Sequence, residues 1–116
     1  MNDVDAEEFE RLVIAELDLL PDDMMDGLQN LSFTVEDLPG NGDEHLLGLY
    51  HGVALTERDN YGYGELPDLI TLYRLPLLAV SRDLEELRRE IHVTLVHEIG
   101  HFYGLDDEEL HKLGWA

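Results

Sequence analysis

The chain has 116 residues and a formal net charge of −20, from 27 acidic residues against 7 lysines and arginines. That length suits one domain, residues 1–116. The charge argues against nucleic acid and anionic membranes as partners and favours cations and basic peptides. There is no cysteine, so disulfides, thiolate metal sites and a cysteine nucleophile are excluded, and any metal must be held by His, Asp or Glu.

The start, MNDVDAEEFE, is acidic, whereas a secretory signal begins basic and then turns apolar. No run approaches the roughly twenty apolar residues of a membrane helix. The expectation is a soluble, cytoplasmic protein.

Residues 5–20 form the first expected helix. Phe9, Leu12, Val13, Glu16 and Leu17 follow a three-to-four spacing that turns one stripe inward. Asp3 or Asp5 can cap its start, and Pro21 ends it. The segment PDDMMDGLQN reads as a polar connection in which Met24 and Met25 fill a gap. In residues 31–37, LSFTVED, Leu31, Phe33 and Val35 alternate with polar neighbours, the pattern of a half-buried strand. A PGNGDE turn leads to a second β-prone run at residues 46–56, where Gly48 and Gly52 suggest a bulge or a close backbone approach. After a Gly- and Tyr-rich loop, residues 68–73, DLITLY, make a third strand, placed at an edge because Pro76 limits pairing beyond it.

A long helix then opens at Ser81 or Asp83, with capping-box spacing between Asp83 and Glu86. Leu84, Leu87, Ile91 and Leu95 mark one face, while Val93, Val96 and Ile99 spread the apolar surface around its end. A helix apolar on several sides is buried on several sides. Gly100 inside it implies close packing against a strand or the first helix. A short last helix spans residues 106–113. Helix, three strands and two helices make an α+β fold with helices on a small sheet.

The chemistry sits at the end of the long helix, in HEIGHFYGLDD, residues 97–107. His97 and His101 are one turn apart and leave the same helix face, so both imidazoles can reach one ion. Glu98 lies about a hundred degrees around the helix, beside such an ion, where it can take a proton from a metal-activated water. Two histidines leave a zinc short of ligands. Gly104 can adopt a left-handed conformation, stop the helix and let the chain double back to Asp107 as the third ligand. Asp106 has its own capping partner, Glu109, so the two aspartates can divide capping and binding. His45 and His51 carry no spacing signal, His92 reads as a surface residue, and His111 reads as exposed on the last helix, with a place near the site as the alternative. Among the phenols, Tyr61 and Tyr63 are the better candidates to line a cleft and donate to an oxyanion.

HEIGHFYGLDD resembles the H-E-x-x-H-x-x-G-x-x-D motif of the zincin metallopeptidases. Together with GLYHGVALTERDNYGYGELPDLITLYRLPLL and REIHVTLVHEIGHFYGLDDEELHKLGW, it resembles a family of small bacterial zincin-like proteins, the minimal metallopeptidases. The resemblance implies a reduced zincin-like fold: a small mixed sheet, an N-terminal backing helix and a long active-site helix. It implies His97, His101 and Asp107 as zinc ligands and Glu98 as general base. It also implies a sheet edge that binds substrate as an added strand, with residues 69–73 as the candidate edge. The expected function is zinc-dependent hydrolysis of a peptide or protein, with a basic peptide suggested by the charge. The alternative is a zinc-stapled interaction module with little proteolysis. One departure bears on selectivity: only nine residues follow Asp107, none of them Met. The expectation is therefore a domain without the Met-turn subdomain that walls the specificity pocket of larger relatives.

Overall fold

Asp5 starts the first helix: its carboxylate accepts from the Glu8 amide, satisfying a donor that the helix itself leaves unpaired. The computed structural model describes residues 1, 3–28, 30–52 and 68–115. In chain order these form α1 (Ala6–Asp18), α2 (Asp22–Met25), β1 (Leu31–Glu36), β2 (Gly48–His51), β3 (Asp68–Tyr73), α3 (Arg74–Ala79), α4 (Leu84–Tyr103) and α5 (Asp107–Leu113). The fold is α+β, as expected.

Two short helices depart from the expectation. The segment after Pro21 makes one helical turn, α2, which drops Met24 into the core while Met25 stays half-buried. The segment after β3 is α3, and Pro76 sits in its first turn. An amide there has no partner within the helix, so the missing N–H of proline costs nothing. Pro76 thus leaves the strand before it unaffected.

That corrects the placement of the third strand. The sheet order is β1-β3-β2, with β1 parallel and β2 antiparallel to β3. β3 is central, and Leu69–Tyr73 is not an edge: Ile70, for example, faces Phe33 of β1 and Tyr50 of β2. Ile70, Thr71 and Leu72 are accordingly buried, as a strand covered on both sides requires.

α4 organises the rest. It packs against α1, α3, α5, β2 and β3, and so separates the backing helix from the sheet. Leu87, Ile91, Leu95 and Ile99 are fully buried along it, each contributing roughly 1.5–3 kcal/mol by leaving water. Asp83 caps its start by accepting from the Glu86 amide. The expected capping box is only half formed, because the Glu86 carboxylate turns to the backbone and guanidinium of Arg82. No helix among the described residues is long and apolar enough to cross a membrane.

Two glycines fix how closely α4 is approached. A Cβ on Gly48 would lie 2.6 Å from Thr94 Cγ2 and 3.3 Å from the Thr71 carbonyl. The backbone of β2 therefore lies directly on α4, the close approach that Gly48 suggested. Gly48→Ala is expected to lower stability by about 1–3 kcal/mol, because β-branched Thr94 cannot rotate away freely. Denaturant unfolding checks this. Gly100 packs against Leu110 of α5, with a Cβ 2.9 Å from Leu110 Cδ1, and not against a strand or α1.

Candidate functional site

α4 ends where its sequence says it must. Gly104 takes a left-handed conformation at φ 76°, and the Leu105 amide donates back to the Gly100 carbonyl. Asp106 then caps α5 in a complete capping box: its side chain accepts from the Glu109 amide at 2.8 Å, and Glu109 accepts from the Asp106 amide at 3.1 Å. With Asp106 occupied in this way, Asp107 is left at the first helical position of α5 with its carboxylate turned back toward α4.

Asp107 Oδ1 lies 3.4 Å from His97 Nε2. Two ligands on a tetrahedral ion with bonds of about 2.0–2.1 Å stand about 3.3–3.4 Å apart. The separation of Asp107 from His97 matches that spacing, and it is equally the distance of a surface ion pair. The His101 ring follows one turn on, edge to face with His97 at a centroid distance of 5.2 Å. Its Nδ1 is 3.0 Å from Glu98 Oε1. Beside a carboxylate that nitrogen carries the proton, which leaves the lone pair of neutral His101 on Nε2, the usual arrangement for a ligating imidazole. Among the described residues, no three His, Asp or Glu groups stand close enough together to hold a metal. His97 and Asp107 lie 3.4 Å apart, and His101 meets Glu98 instead of the other two. The donor set of two imidazoles and one carboxylate suits zinc and leaves a coordination position open.

Glu98 is 8% exposed, whereas the side chains of His97 and His101 are about half exposed. A buried carboxylate is costly without donors. Here Oε1 takes two: His101 Nδ1, and the backbone amide of Tyr50 at 2.9 Å. The Tyr73 amide donates to the Leu47 carbonyl, so by antiparallel alternation the Tyr50 amide points away from β3. The outer edge of β2 therefore meets the buried glutamate of α4. A cavity of about 230 Å³ runs between them, lined in part by Leu47, Gly48, Val93, His97, Glu98 and His101. Burial first, and then the charges of Glu36 and Glu98, hold the Tyr73 hydroxyl above the ordinary tyrosine pKa, so it stays protonated.

The backbone of β2 is not legible from the sequence as part of the site. Gly48 hints at close packing, but nothing local joins Tyr50 to Glu98, 48 residues away. The Tyr50 hydroxyl itself donates to Asp68 Oδ1, and Tyr103 donates to the Met24 carbonyl. Tyr61 and Tyr63 lie outside the described residues. His92 sits 3.6 Å from Glu16 on α1, and His51 lies 3.4 Å from Thr71 Oγ1. Phe102 is buried against Tyr50 and Tyr103, away from the exposed histidines.

A small mixed sheet, a long helix ending in H-E-x-x-H and a returning aspartate together define a zincin-like protein. The zincin-like metallopeptidase family model matches residues 28–115, and the chain belongs to that family. Its structure is similar to that of a conserved hypothetical protein from Thermus thermophilus, with a TM-score of 0.61 and 25% identity over 95% of this chain and 97% of that one. Comparison with curated protein sequences gives no match.

Proposed function

We propose that this protein is a zinc-dependent peptidase. The observation that carries the reading is Glu98: a buried carboxylate between the two exposed histidines of the motif, held by a strand amide and a ring nitrogen. A zinc site that only stapled the fold would use Glu98 to orient His101 through Oε1 and would leave its second oxygen without a task. His97, His101 and Asp107 would hold the ion, the first through Nε2 and the second through the lone pair that Glu98 leaves on its Nε2. When bound, zinc would polarise the scissile carbonyl and make an attacking water more acidic.

The chain's own groups do the rest. Oε1 of Glu98 is occupied by its two donors, so Oε2 is the atom that accepts the proton from the attacking water. The same oxygen then delivers it to the leaving amine nitrogen. A peptide laid along the outer edge of β2 would offer its own carbonyl to the Tyr50 amide. Glu98 Oε1 would be released from that contact, so substrate seating and readiness of the base would be linked. The acidic surface favours basic substrates, and the charge is long-range enough to act on encounter.

The test is metal loading joined to digestion of a peptide library. The purified protein is expected to take up about one zinc per chain and to cleave peptides. Chelation is expected to abolish cleavage, and added zinc to restore it. Failure to load zinc would refute the site. Zinc uptake without cleavage of any library member would leave the stapled interaction module as the better account.

A further inference from the structure

Four glutamates stand on α4, and three of them have partners. Glu85 faces Arg89, Glu86 faces Arg82, and Glu98 accepts from the Tyr50 amide and from His101. Glu90 is the fourth. Its neighbours one turn away are Glu86 and Thr94, with Leu87 and Val93 at the three-residue spacing, so the helix supplies it no cation. Among the described residues its carboxylate forms no ion pair.

The place of that carboxylate is informative. Glu90 is half-buried and lines the 230 Å³ cavity between β2 and α4, together with His97 and Glu98. It precedes His97 by seven residues, which puts it on the same helix face, about 10 Å away along the axis. Leu46, Leu47 and Val93 give the same cavity an apolar wall. The space thus combines an apolar side, one carboxylate without a counterion and the histidine face of the motif.

Resting on the peptidase reading, we propose that Glu90 is a specificity-determining residue, which receives the cation of a Lys or Arg side chain on the peptide. That side chain stands within about three residues of the scissile bond, because an extended peptide advances about 3.3 Å per residue. Its aliphatic stem lies on Leu46, Leu47 and Val93 while its head reaches the carboxylate, the way long basic side chains bury. A neutral side chain there would leave Glu90 covered by peptide without a counterion, at a desolvation cost. An acidic one would be repelled by Glu90 and Glu98. A free divalent ion is the poorer occupant, since no three His, Asp or Glu groups among the described residues stand close enough to hold it. The net charge of −20 attracts any basic peptide. Glu90 decides where along that peptide the cut falls.

Blocked alanine-serine octapeptides with a single Lys or a single Gln are titrated calorimetrically into the zinc-loaded Glu98→Gln protein. That background lacks the proposed base and leaves Glu90 as the one carboxylate among the residues named for the cavity. The Lys peptide is expected to bind about five- to tenfold more tightly, between the worth of an exposed ion pair and that of a charged hydrogen bond. Adding Glu90→Gln is expected to bring the two peptides within about twofold, and Gln keeps the helix propensity of Glu. Adding Glu10→Gln instead removes the same charge from an exposed position on α1 and is expected to leave the preference intact. Equal affinity for the two peptides before Glu90 is changed, no binding of either, or an equal loss of preference from Glu10→Gln would overturn the assignment. Parallel digests with the unsubstituted protein separate it from the peptidase reading. Moving the Lys along the uniform host is expected to move the cut with it at a constant distance. Cuts that ignore the Lys would remove Glu90 from specificity and leave the peptidase standing. Lys-selective binding that depends on Glu90, without any hydrolysis, would keep Glu90 as the cation's partner and refute the peptidase.

Discussion

Replacement of Glu98 by Gln is expected to lower kcat for peptide hydrolysis about 10²–10⁴-fold, the range for losing a positioned general base, while zinc content and fold are retained. The amide is isosteric, and its oxygen can still accept from the Tyr50 amide and from His101 Nδ1, the two contacts that Glu98 Oε1 makes. What it cannot do is hold a proton delivered by water. The substitution therefore separates chemistry from architecture. Glu98→Ala would not, because it also removes the acceptor for a strand amide, a loss worth about 1–3 kcal/mol. The measurements are steady-state hydrolysis of one library substrate, zinc per chain and the thermal unfolding midpoint. A Gln variant that cleaves as fast as the parent would remove Glu98 from the mechanism. One that loses activity together with zinc would show that Glu98 acts only by orienting His101.

What can be read from the chain alone is whatever is fixed by neighbours a few residues apart. Asp5, Asp83 and Asp106 cap the helices that their spacing predicts, and Gly104 stops α4 in the left-handed conformation that only glycine adopts cheaply. The return of Asp107 to His97 follows from those two local signals acting in series. The departures all concern partners distant in sequence or elements too short to pattern. Pro76 argues for an edge position of β3, but edge or centre is decided by whether β1 and β2 both find that strand, and Pro76 belongs to the helix that follows. Gly100 announces a close neighbour without saying that it is Leu110. The Tyr50 amide has no side-chain signature at all. α2 and α3 escape the sequence pattern because helices of four and six residues are too short to establish a period.

The same division between adjacent aspartates gives the second large effect. Asp107→Ala is expected to weaken zinc binding more than about a hundredfold, exceeding the 10–100-fold typical of losing a group that merely supports a ligand. Asp106→Ala is expected to leave affinity within a few-fold. Their effects on stability should run the other way. Asp106 holds both halves of a capping box, so its removal costs about 1 kcal/mol. Asp107 is 77% exposed at the first helical position, where a carboxylate gains about 0.3–1 kcal/mol from the helix dipole and little else in the metal-free protein. Competitive titration with a zinc chelator and unfolding of the metal-free protein measure the two quantities independently. If both variants lost the same affinity, the 3.4 Å approach of Asp107 to His97 would be a surface ion pair and the third ligand would have to be sought elsewhere. If affinity fell only for Asp107→Ala while stability fell mainly for Asp106→Ala, then two identical side chains, one residue apart, would be shown to do different work because one faces the start of its own helix and the other faces the end of the helix before it.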